Sequence, residues 1–422
     1  MLARKIMATA ERTVQKYGGT SLGDLDRIRA VAARVKRRWE QGLNVAVVVS
    51  AMSGETDRLL ELARSLSGDP DARELDVLLS TGEQVSCALL ALALKEQGVP
   101  AESLLGHQAR ISTDSAHGKA RIQSINVSRI ERAFEEHKVT VVAGFQGIDS
   151  DGNITTLGRG GSDTTAVALA AALGAVSCDI CTDVDGVYTT DPRICDQAVR
   201  LEKISYDEML ELAGLGAKVL QIRAVECAKR YGVKLRVCSS FADGEGTWVV
   251  PEEEGMEEVM VSGVAFDRDQ AKITVKLVPD TPGLAASLFG PLAEKGVVVD
   301  MIVQNVSADG HTDLTFTVSG EDFSAAAKLV QEVAEKVGAG GVDSSDTVAK
   351  VSVVGLGMRN HAGVAARMFE VLSDAGVNIQ MISTSEIKIS VVIERDDVDR
   401  AVNLLHEAFV GDPGSLAESK PA

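Results

Sequence analysis

The stretch VQKYGGTSLG, at residues 14–23, joins an apolar segment to a helical pattern through two glycines. Residues 13–17 predict a β-strand, and we expect a helix to begin near Asp24. Glycines allow a ligand to approach the backbone, and amides at a helix start point toward anions, so Lys16 is placed to meet a phosphate oxygen. The lysine precedes the glycines, which excludes a P-loop. These residues alone fit a tight turn beside a solvated lysine equally well.

The segments around this stretch indicate the fold class. Residues 44–50 (NVAVVVS) and 138–145 (KVTVVAGF) are continuous apolar runs, as expected for strands buried on both faces of a parallel sheet. Residues 24–38 and 75–94 carry apolar stripes at helical spacing. This alternation over residues 13–240 predicts an α/β domain in which helices sandwich a mainly parallel sheet.

A linker and an internal repeat are expected after this domain. Residues 242–258 (ADGEGTWVVPEEEGMEE) are glycine-rich and acidic and contain a proline, which predicts a linker. Beyond it, TPGLAASLFGPLAEKGVVVDMIVQN from residue 281 aligns without a gap with HAGVAARMFEVLSDAGVNIQMISTS from residue 361. Each copy reads strand, helix, strand, strand, and ends in a helix, at 323–337 or 398–409. The pattern predicts two ferredoxin-like βαββαβ units in tandem.

The composition argues against several classes of partner. The 422 residues carry a net charge of −18, with a pI near 4.9, whereas nucleic acids and anionic membranes require a basic surface. The longest apolar runs are shorter than the roughly 18–20 residues of a membrane span. The first dozen residues lack the apolar region of a signal peptide. We therefore expect a cytoplasmic protein with no nucleic-acid or membrane partner.

The spacing of cysteine and histidine does not predict a metal site. The six cysteines are too sparse for a disulfide framework. Cys178 and Cys181 lie on a predicted strand, where residues three apart point to opposite faces, so we expect buried thiols rather than a metal or redox pair. The histidines lack zinc-binding spacing.

Two further glycine-containing motifs are typical of ligand sites. Residues 155–175 (TTLGRGGSDTTAVALAAALGA) place three glycines around Arg159, before an alanine-rich helix for which Ser162 is the expected N-cap. A guanidinium beside helix-start amides predicts an anion site. Residues 181–193 (CTDVDGVYTTDPR) indicate a strand end and a polar loop, where open α/β sheets bind ligands, although turn formation alone would also explain them. Lys218 follows a glycine-flanked turn.

Six motifs in order, followed by the repeat, closely resemble the aspartate kinase family over residues 14–409. They are KYGGTSLG, VSAM, STGEQVS, TLGRGGSDTTA, TDVDGVYTTDPR and GAKVLQIRAVE. The resemblance implies an amino-acid-kinase fold followed by two ACT domains, the second nested within the first. It also implies transfer of the γ-phosphoryl group of MgATP to the β-carboxylate of L-aspartate, the first step of lysine, threonine and methionine biosynthesis. A carboxylate with a pKa of about 4 is ionised at neutral pH, so this nucleophile needs no general base.

The resemblance implies a role for each motif residue. Lys16 would stabilise the transferring group, and Asp163 would orient that lysine. Arg159 would bind the α-carboxylate of aspartate and Glu83 its α-amino group, although Glu83 also fits an acidic first-turn residue after Gly82. Further implied substrate contacts are Ser50, Gly160, Gly161 and Ser162. The implied nucleotide contacts are Lys16, Tyr17, Gly18, Gly19, Thr182, Asp183, Tyr188, Arg193, Lys218 and Val219, with Mg2+ carried by ATP and no protein metal site.

One departure from the family pattern is SAMSGETD, where a methionine–glycine junction is expected, which leaves the contacts of this loop open. ACT pairs in the family bind amino-acid end products at a dimer interface, so the resemblance implies feedback inhibition by lysine, threonine or both, and a homodimer or higher oligomer. The implied effector residues are Asp280, Gln304, Asn305, Asn378, Ile379 and Ser383. Met256 lies where some relatives start a shorter, ACT-only subunit.

The expected division of the chain follows from these assignments. It comprises an N-terminal extension (1–12), the catalytic domain (13–245), a linker (246–262), the first ACT domain (263–342), the second ACT domain (343–411) and a tail (412–422).

Two alternatives remain open. Another carboxylate kinase of the same fold, such as an acetylglutamate or glutamate 5-kinase, would share Lys16 and the glycines but lack tandem ACT repeats. A catalytically inactive amino-acid sensor would act through its ACT pair alone. The retention of Lys16, Glu83, Arg159 and Asp163 together argues against the sensor.

Overall fold

The computed structural model describes residues 10–214, 219–252, 261–305, 310–356, 358 and 363–411, and these form two compact units. Unit 1 holds the described residues before Tyr188, those of Arg200–Ala213 and those of 219–252. Unit 2 holds Tyr188–Val199, Gly214 and the described residues beyond 260.

The elements of unit 1 alternate strands with helices. The strands are β1 (Arg12–Tyr17), β2 (Asn44–Val49), β3 (Ala101–Leu104), β4 (Ile111–Thr113), β5 (Ile122–Ile125), β6 (Val139–Ala143), β7 (Gln146–Ile148), β8 (Ile154–Thr156), β9 (Ser177–Thr182), β10 (Lys203–Ser205), β11 (Leu235–Ser239) and β12 (Thr247–Val250). The helices are α1 (Leu25–Glu40), α2 (Glu55–Leu66), α3 (Ala72–Glu96), α4 (Ser128–Glu135), α5 (Gly161–Leu173), α6 (Tyr206–Gly214, whose last residue belongs to unit 2) and α7 (Ile222–Tyr231).

An eight-stranded sheet forms the centre of unit 1, in the order β10-β12-β11-β9-β1-β2-β6-β3. Its neighbouring strands run parallel, except that β11 and β12 run antiparallel. Helices α1 and α3 pack in the core cluster on one side of β2, and α5 contacts β1, β2 and β9. Val47 and Val48 are both fully buried, although their side chains point to opposite faces. The predicted α/β fold with a mainly parallel sheet is confirmed.

The two helices that follow glycine-rich turns begin differently. Asp24 caps α1, as its position predicts, since its side chain accepts a hydrogen bond from the Arg27 amide at 2.8 Å. The prediction that Ser162 caps α5 is wrong, because Gly160 occupies the cap position with a φ of 68°. That left-handed conformation suits glycine, and a Cβ there would lie 1.9 Å from Gln221 Cγ. Ser162 is instead a buried residue of the first turn.

The predicted linker begins too early. Residues Thr247–Val250 form β12, and the side chains of Thr247 and Val249 are fully buried. The glycine-rich segment before β12 is the turn of a β11–β12 hairpin, in which Gly246 has a φ of 72° and a Cβ would lie 2.2 Å from Val237 O. The glycines that suggested a linker are therefore residues of a hairpin turn. Residues 253–260, with Met256, lie outside the described residues.

By length and composition alone, helix α3 could cross a membrane. In unit 1, 44% of its apolar window is buried, and it packs on α1, β3 and β6. This environment is that of a core helix.

The six cysteines are free thiols in this structure. Cys178 and Cys181 lie on β9 and are both buried, and burial raises the pKa of the Cys178 thiol. Cys181 Sγ lies 3.6 Å from Cys238 Sγ on the neighbouring strand β11.

Unit 2 contains the internal repeat. Its strands are β13 (Gly263–Asp267), β14 (Gln270–Pro279), β15 (Val299–Gln304), β16 (His311–Ser319), β17 (Gly341–Ser345), β18 (Val348–Val354), β19 (Met381–Thr384) and β20 (Lys388–Glu394). Its helices are α8 (Leu284–Glu294), α9 (Phe323–Val337), α10 (Gly363–Asp374) and α11 (Val398–His406). Helix α9 has the predicted bounds, whereas α11 ends before residue 409 because the chain widens into a π-helical turn, Glu407–Gly411.

The two repeats form two four-stranded sheets, in the orders β15-β16-β14-β17 and β19-β20-β18-β13. The first repeat supplies a complete βαββαβ unit, as predicted. The second takes its fourth strand from β13, which pairs antiparallel with β18. The first repeat is therefore inserted into the second, the reverse of the nesting that the resemblance implied. The reason is the long-range β13–β18 pairing, which leaves no local mark on the sequence.

The segment Tyr188–Val199 is part of unit 2, although both chain neighbours belong to unit 1. The Val264 amide on β13 donates to Thr189 O at 2.7 Å. Thr189 Oγ1 lies 2.8 Å from His406 Nε2 on α11, and Asn403 Nδ2 donates to Ile194 O at 3.1 Å. The segment is therefore packed against the second repeat.

Candidate active site

A cavity of about 370 Å³ opens at the carboxyl end of the large sheet in unit 1. Parallel strands end at the same edge, so the segments after β1, β2 and β6 meet there, joined by the middle of α3 and the first turn of α5. Six predicted catalytic or substrate-binding side chains line it: Lys16, Ser50, Glu83, Arg159, Ser162 and Asp163. The predicted substrate contacts Gly160 and Gly161 and the predicted nucleotide contact Gly19 also line the cavity.

Lys16 and Asp163 form the charged centre of the cavity. Lys16 Nζ, from β1, lies 2.6 Å from Asp163 Oδ1, and the two side chains are 12% and 10% exposed. Asp163 lies in the first turn of α5, where the helix dipole favours a negative charge. The pair holds a lysine ammonium at the cavity surface in a fixed position.

Glu83 is a buried carboxylate with one oxygen available to a ligand. It lies in the middle of α3, so its interpretation as a first-turn residue is wrong. Its Oε1 accepts a hydrogen bond from the Ala51 amide at 2.9 Å, whereas Oε2 is buried with no hydrogen-bond partner among the described residues. Burial raises the pKa of Glu83 to about 7, although the Ala51 hydrogen bond acts in the opposite direction. A ligand cation beside Oε2 would favour the ionised form.

Arg159 lies on a loop whose backbone conformation and close packing require glycine at several positions. Gly158 and Gly160 on either side have φ values of 77° and 68°. A Cβ on Gly161 would lie 2.9 Å from both Leu157 Cβ and Phe145 Cδ2. The Arg159 side chain is exposed and forms no ion pair with any residue that the structure describes. Its guanidinium therefore remains open to an anion.

Four predicted nucleotide residues near β1 and β9 lie outside the lining of this cavity. The Tyr17 side chain is fully buried in the core, so its backbone alone remains for a ligand. Gly18 donates from its amide to Cys181 O at 3.4 Å, which places it beside the end of β9. Thr182 follows there, and its hydroxyl donates to Asp183 Oδ1 at 3.0 Å.

The other predicted nucleotide residues are dispersed. Tyr188 and Arg193 belong to unit 2, where the Arg193 guanidinium pairs with Asp191 at 2.6 Å and its side chain is 87% exposed. Val219 is half-buried and precedes α7 in unit 1. Lys218 lies outside the described residues.

The predicted effector residues occupy the strand ends and turns of unit 2. Asp280 follows β14, and its amide donates to Gly310 O at 2.9 Å. Gln304 ends β15, and the carbonyl of Asn305 accepts from the Thr312 hydroxyl. The corresponding region of the second repeat contains Asn378 and Ile379 before β19 and Ser383 on it.

Sequence reasoning missed part of the cavity surface. The segment after β2 supplies Ala51, Met52 and Ser53, and the first turn of α2 supplies Thr56 and Asp57. The segment after β6 supplies Phe145. Gly54 is the N-cap residue of α2, and its φ of 77° turns the chain from the segment after β2 into the helix. The unusual glycine spacing in SAMSGETD was the available signal. No local signal identified Gln221, whose side chain packs against Gly160.

The arrangement suits a ligand with both charge signs. Lys16 and the amides at the start of α5 favour a phosphate or carboxylate, and Arg159 offers a second anion contact. Glu83 offers a buried contact for a cation. An amino acid with an additional acidic group, beside a phosphoryl donor, has this distribution of charge.

Comparisons with known proteins agree with these features. Residues 11–239 match the amino acid kinase family, and residues 272–335 and 351–409 each match the ACT domain. The chain is 58% identical over 408 residues to an aspartate kinase of Stutzerimonas stutzeri, covering 96% of this chain and 99% of that protein. It is also 58% identical over 398 residues to an aspartokinase of Pseudomonas aeruginosa, covering 94% and 97%.

Solved structures show the same architecture. E. coli aspartokinase III in complex with aspartate and ADP superposes with a TM-score of 0.75 at 28% identity, covering 94% of this chain and 99% of that one. The same enzyme in complex with lysine and aspartate gives a TM-score of 0.73 at 27% identity, covering 95% and 100%.

Proposed function

The chain belongs to the aspartate kinase family, and we propose that unit 1 transfers the γ-phosphoryl group of MgATP to the β-carboxylate of L-aspartate, giving 4-phospho-L-aspartate. The observation that carries this proposal is the grouping of Lys16, Glu83, Arg159 and Asp163 around one cavity. E. coli aspartokinase III, which binds aspartate and ADP, shares the architecture.

Positioning and charge account for the chemistry. The β-carboxylate is ionised at neutral pH and attacks phosphorus without a general base. Arg159 binds the α-carboxylate and Glu83 the α-ammonium, so an acid lacking either group binds less tightly. Lys16, held by Asp163, stabilises the charge that develops on the transferring phosphoryl group.

The donor set also fits a nucleoside triphosphate. The Lys16 ammonium and the α5 amides suit phosphate oxygens, and we assign Gly18, Gly19, Thr182 and Asp183 to the same nucleotide. We extend this assignment to Tyr17, through its backbone, and to Tyr188, Arg193, Lys218 and Val219. Bound Mg2+, carried by the phosphates of ATP, neutralises their charge. Ser50, Gly160, Gly161 and Ser162 contact the aspartate substrate.

We assign regulation to unit 2. Two ACT matches, and the lysine bound to E. coli aspartokinase III, support feedback inhibition by lysine, threonine or both at Asp280, Gln304, Asn305, Asn378, Ile379 and Ser383. The enzyme assembles as a dimer or higher oligomer through its ACT domains, acts in the cytoplasm and serves lysine, threonine and methionine biosynthesis. An ACT-only subunit started at Met256 belongs to the same proposal.

We also propose revised domain boundaries. The catalytic domain extends over residues 12–187 and 200–250, the first ACT domain over 270–345, and the second over 263–267 together with 348–411. Strand pairing supports these limits.

An ADP-release assay with MgATP and L-aspartate tests this function. We expect turnover that requires aspartate, that lysine plus threonine suppresses, and that Arg159→Ala reduces roughly 100-fold in kcat/KM for aspartate. Arg64→Ala, which removes an exposed arginine at the end of α2, is the matched control and should retain full activity.

Other outcomes would identify the alternatives. Preference for glutamate or N-acetylglutamate over aspartate would indicate a different carboxylate kinase. Absence of turnover, with a melting temperature that lysine or threonine still raises, would indicate an amino-acid sensor.

A further inference from the structure

A buried carboxylate lies beneath the loop that carries Arg159. Asp76, on α3, is 1% exposed and has no assigned role in the reaction. It accepts a hydrogen bond from the hydroxyl of Thr156, the last residue of β8. It also accepts from the Gly118 amide at 3.0 and 3.1 Å, and its Oδ2 lies 2.7 Å from His117 Nδ1. Because a carboxylate oxygen accepts hydrogen bonds, we assign His117 Nδ1 as the donor.

The residues that donate hydrogen bonds to Asp76 also contact the Arg159 loop or lie next to it in the chain. The Ala120 amide donates to Thr156 O at 2.9 Å, which fastens the segment after His117 to the end of β8. A Cβ on Gly158 would lie 2.9 Å from Gly118 O, so these two backbones are in close contact. Only Leu157 and Gly158 separate Thr156 from Arg159, and glycines flank the arginine on both sides.

A second side chain, Arg223, also links the Arg159 loop to the segment that contains Gly118. Arg223, on α7, donates to Leu157 O in the Arg159 loop and to Ala120 O at 3.0 Å. The loop is thus tied to α3 through Asp76 and to α7 through Arg223, both within unit 1. Glycines leave a loop conformationally free unless such contacts fix it.

Packing alone does not require this charge. A carboxylate removed from water is costly unless donors surround it, and an apolar residue would fill the same volume without that cost. Here a hydroxyl donor from β8 and the amide and imidazole donors of Gly118 and His117 converge on Asp76. Fixed geometry at a binding arginine is the benefit that such a network offers.

We propose that Asp76 and His117 are positioning residues that fix the Arg159 loop and thereby set the affinity for the substrate's α-carboxylate. The inference rests on the proposed function, since it assigns the purpose of the network to aspartate binding. Neither Asp76 nor His117 lines the cavity, and they act through Thr156 and Gly118.

The test compares His117→Leu with His117→Asn, whose amide nitrogen can replace Nδ1 as the donor. We expect His117→Leu to raise KM for aspartate roughly 10-fold, the cost of one hydrogen bond, with kcat and KM for ATP within twofold of wild type. His117→Asn should restore KM for aspartate to within threefold. Thr156→Val, with Thr156→Ser as its control, repeats the test from the other side of Asp76.

A double-mutant cycle decides between positioning and general stability. In the Arg159→Ala background the loop has no arginine to place, so His117→Leu should change kcat/KM for aspartate less than twofold. Equal effects of His117→Leu in both backgrounds, or a parallel rise in KM for ATP, would overturn the proposal. Wild-type protein without aspartate-dependent turnover would instead overturn the proposed function.

Discussion

The residues predicted to hold aspartate and the segment predicted to hold the nucleotide differ in what surrounds them. In unit 1, Glu83 and Arg159 face a cavity, and Glu83 has a buried oxygen without a partner among the described residues. In unit 2, Thr189 of the TTDPR segment packs against β13 and α11, and Ile194, the next residue after that segment, contacts α11. His406 there also has a buried nitrogen, Nδ1, with no partner in the described part of the chain.

A buried polar atom without a hydrogen-bond partner can therefore occur in a binding site or in a packed core. Glu83 Oε2 belongs to a residue that lines open space, so a ligand can satisfy it. His406 lies on α11 beside Val402 and Leu405, which belong to the core of the second repeat. Its neutral imidazole tolerates one unpaired nitrogen as a cost of packing. Geometry, rather than burial alone, therefore distinguishes a binding group from a structural one.

We expect the greatest loss of activity when Lys16, in the charged centre of the cavity, is replaced, and a much smaller one when the exposed Arg193 of unit 2 is replaced. Lys16→Met should lower kcat about 1,000-fold, because it removes the cation that stabilises the transferring group. Arg193→Met, whose side chain is exposed and paired with Asp191, should raise KM for ATP less than tenfold and leave KM for aspartate unchanged. Steady-state kinetics with each substrate varied would measure both. Equal losses of kcat in the two variants would remove the distinction.

The next prediction uses the pH dependence of Glu83. Its pKa in the folded protein, about 7, lies above its ordinary value of 4.5, so the folded state binds more protons between these values. The stability it contributes is therefore present below pH 4.5 and lost as the pH rises through 7, about 3 kcal/mol in all. Glu83→Gln, a neutral isostere, should match wild type near pH 4 and exceed it in urea midpoint at pH 8. Its KM for aspartate should rise roughly 100-fold, because the ammonium loses its partner.

Glu61→Gln, on the exposed face of α2, controls for loss of one negative charge. Urea curves for Glu83→Gln and wild type that run parallel from pH 4 to 8 would show that Glu83 is not a buried acid with a raised pKa.

The smallest expected effect concerns the contact between Thr189 and His406. Thr189→Val removes the hydroxyl at 2.8 Å from His406 Nε2 and should lower stability by about 1–3 kcal/mol, with KM for aspartate within twofold. Thr190→Val is the matched control, since the buried Thr190 hydroxyl has no partner among the described residues and its loss should be nearly neutral. Thermal unfolding would compare the two. Equal destabilisation would show that the hydrogen bond between Thr189 and His406 contributes nothing measurable.

The sign of the pH effect at His406 is opposite to that at Glu83. Burial lowers the pKa of His406 below its ordinary value of 6.5. Its contribution to stability is therefore present above pH 6.5 and lost as the pH falls through the folded pKa. The melting temperature of His406→Asn should accordingly fall less than that of wild type between pH 7 and 5.

Local patterns in the sequence predicted the elements and the charged residues of the site. The spacing around residues 14–24 located β1, the glycine turn and the cap of α1, and the motifs identified Lys16, Glu83 and Arg159. Contacts between distant segments could not be predicted this way. The β13–β18 pairing reversed the expected nesting. The cap of α5 is the left-handed Gly160 rather than Ser162, and Gln221, distant in sequence, leaves no space for a side chain there. The network around Asp76 likewise joins four segments that are far apart in sequence.

Trapping of the product with hydroxylamine is the most direct test that the cavity phosphorylates aspartate. Hydroxylamine converts an acyl phosphate to a hydroxamate, so it reports on the bond formed rather than on ATP consumption alone. We expect β-aspartyl hydroxamate in equimolar amounts with ADP for the wild-type chain, and formation at least about 100-fold slower for Lys16→Met. Release of ADP without hydroxamate, or an unchanged rate in Lys16→Met, would contradict it.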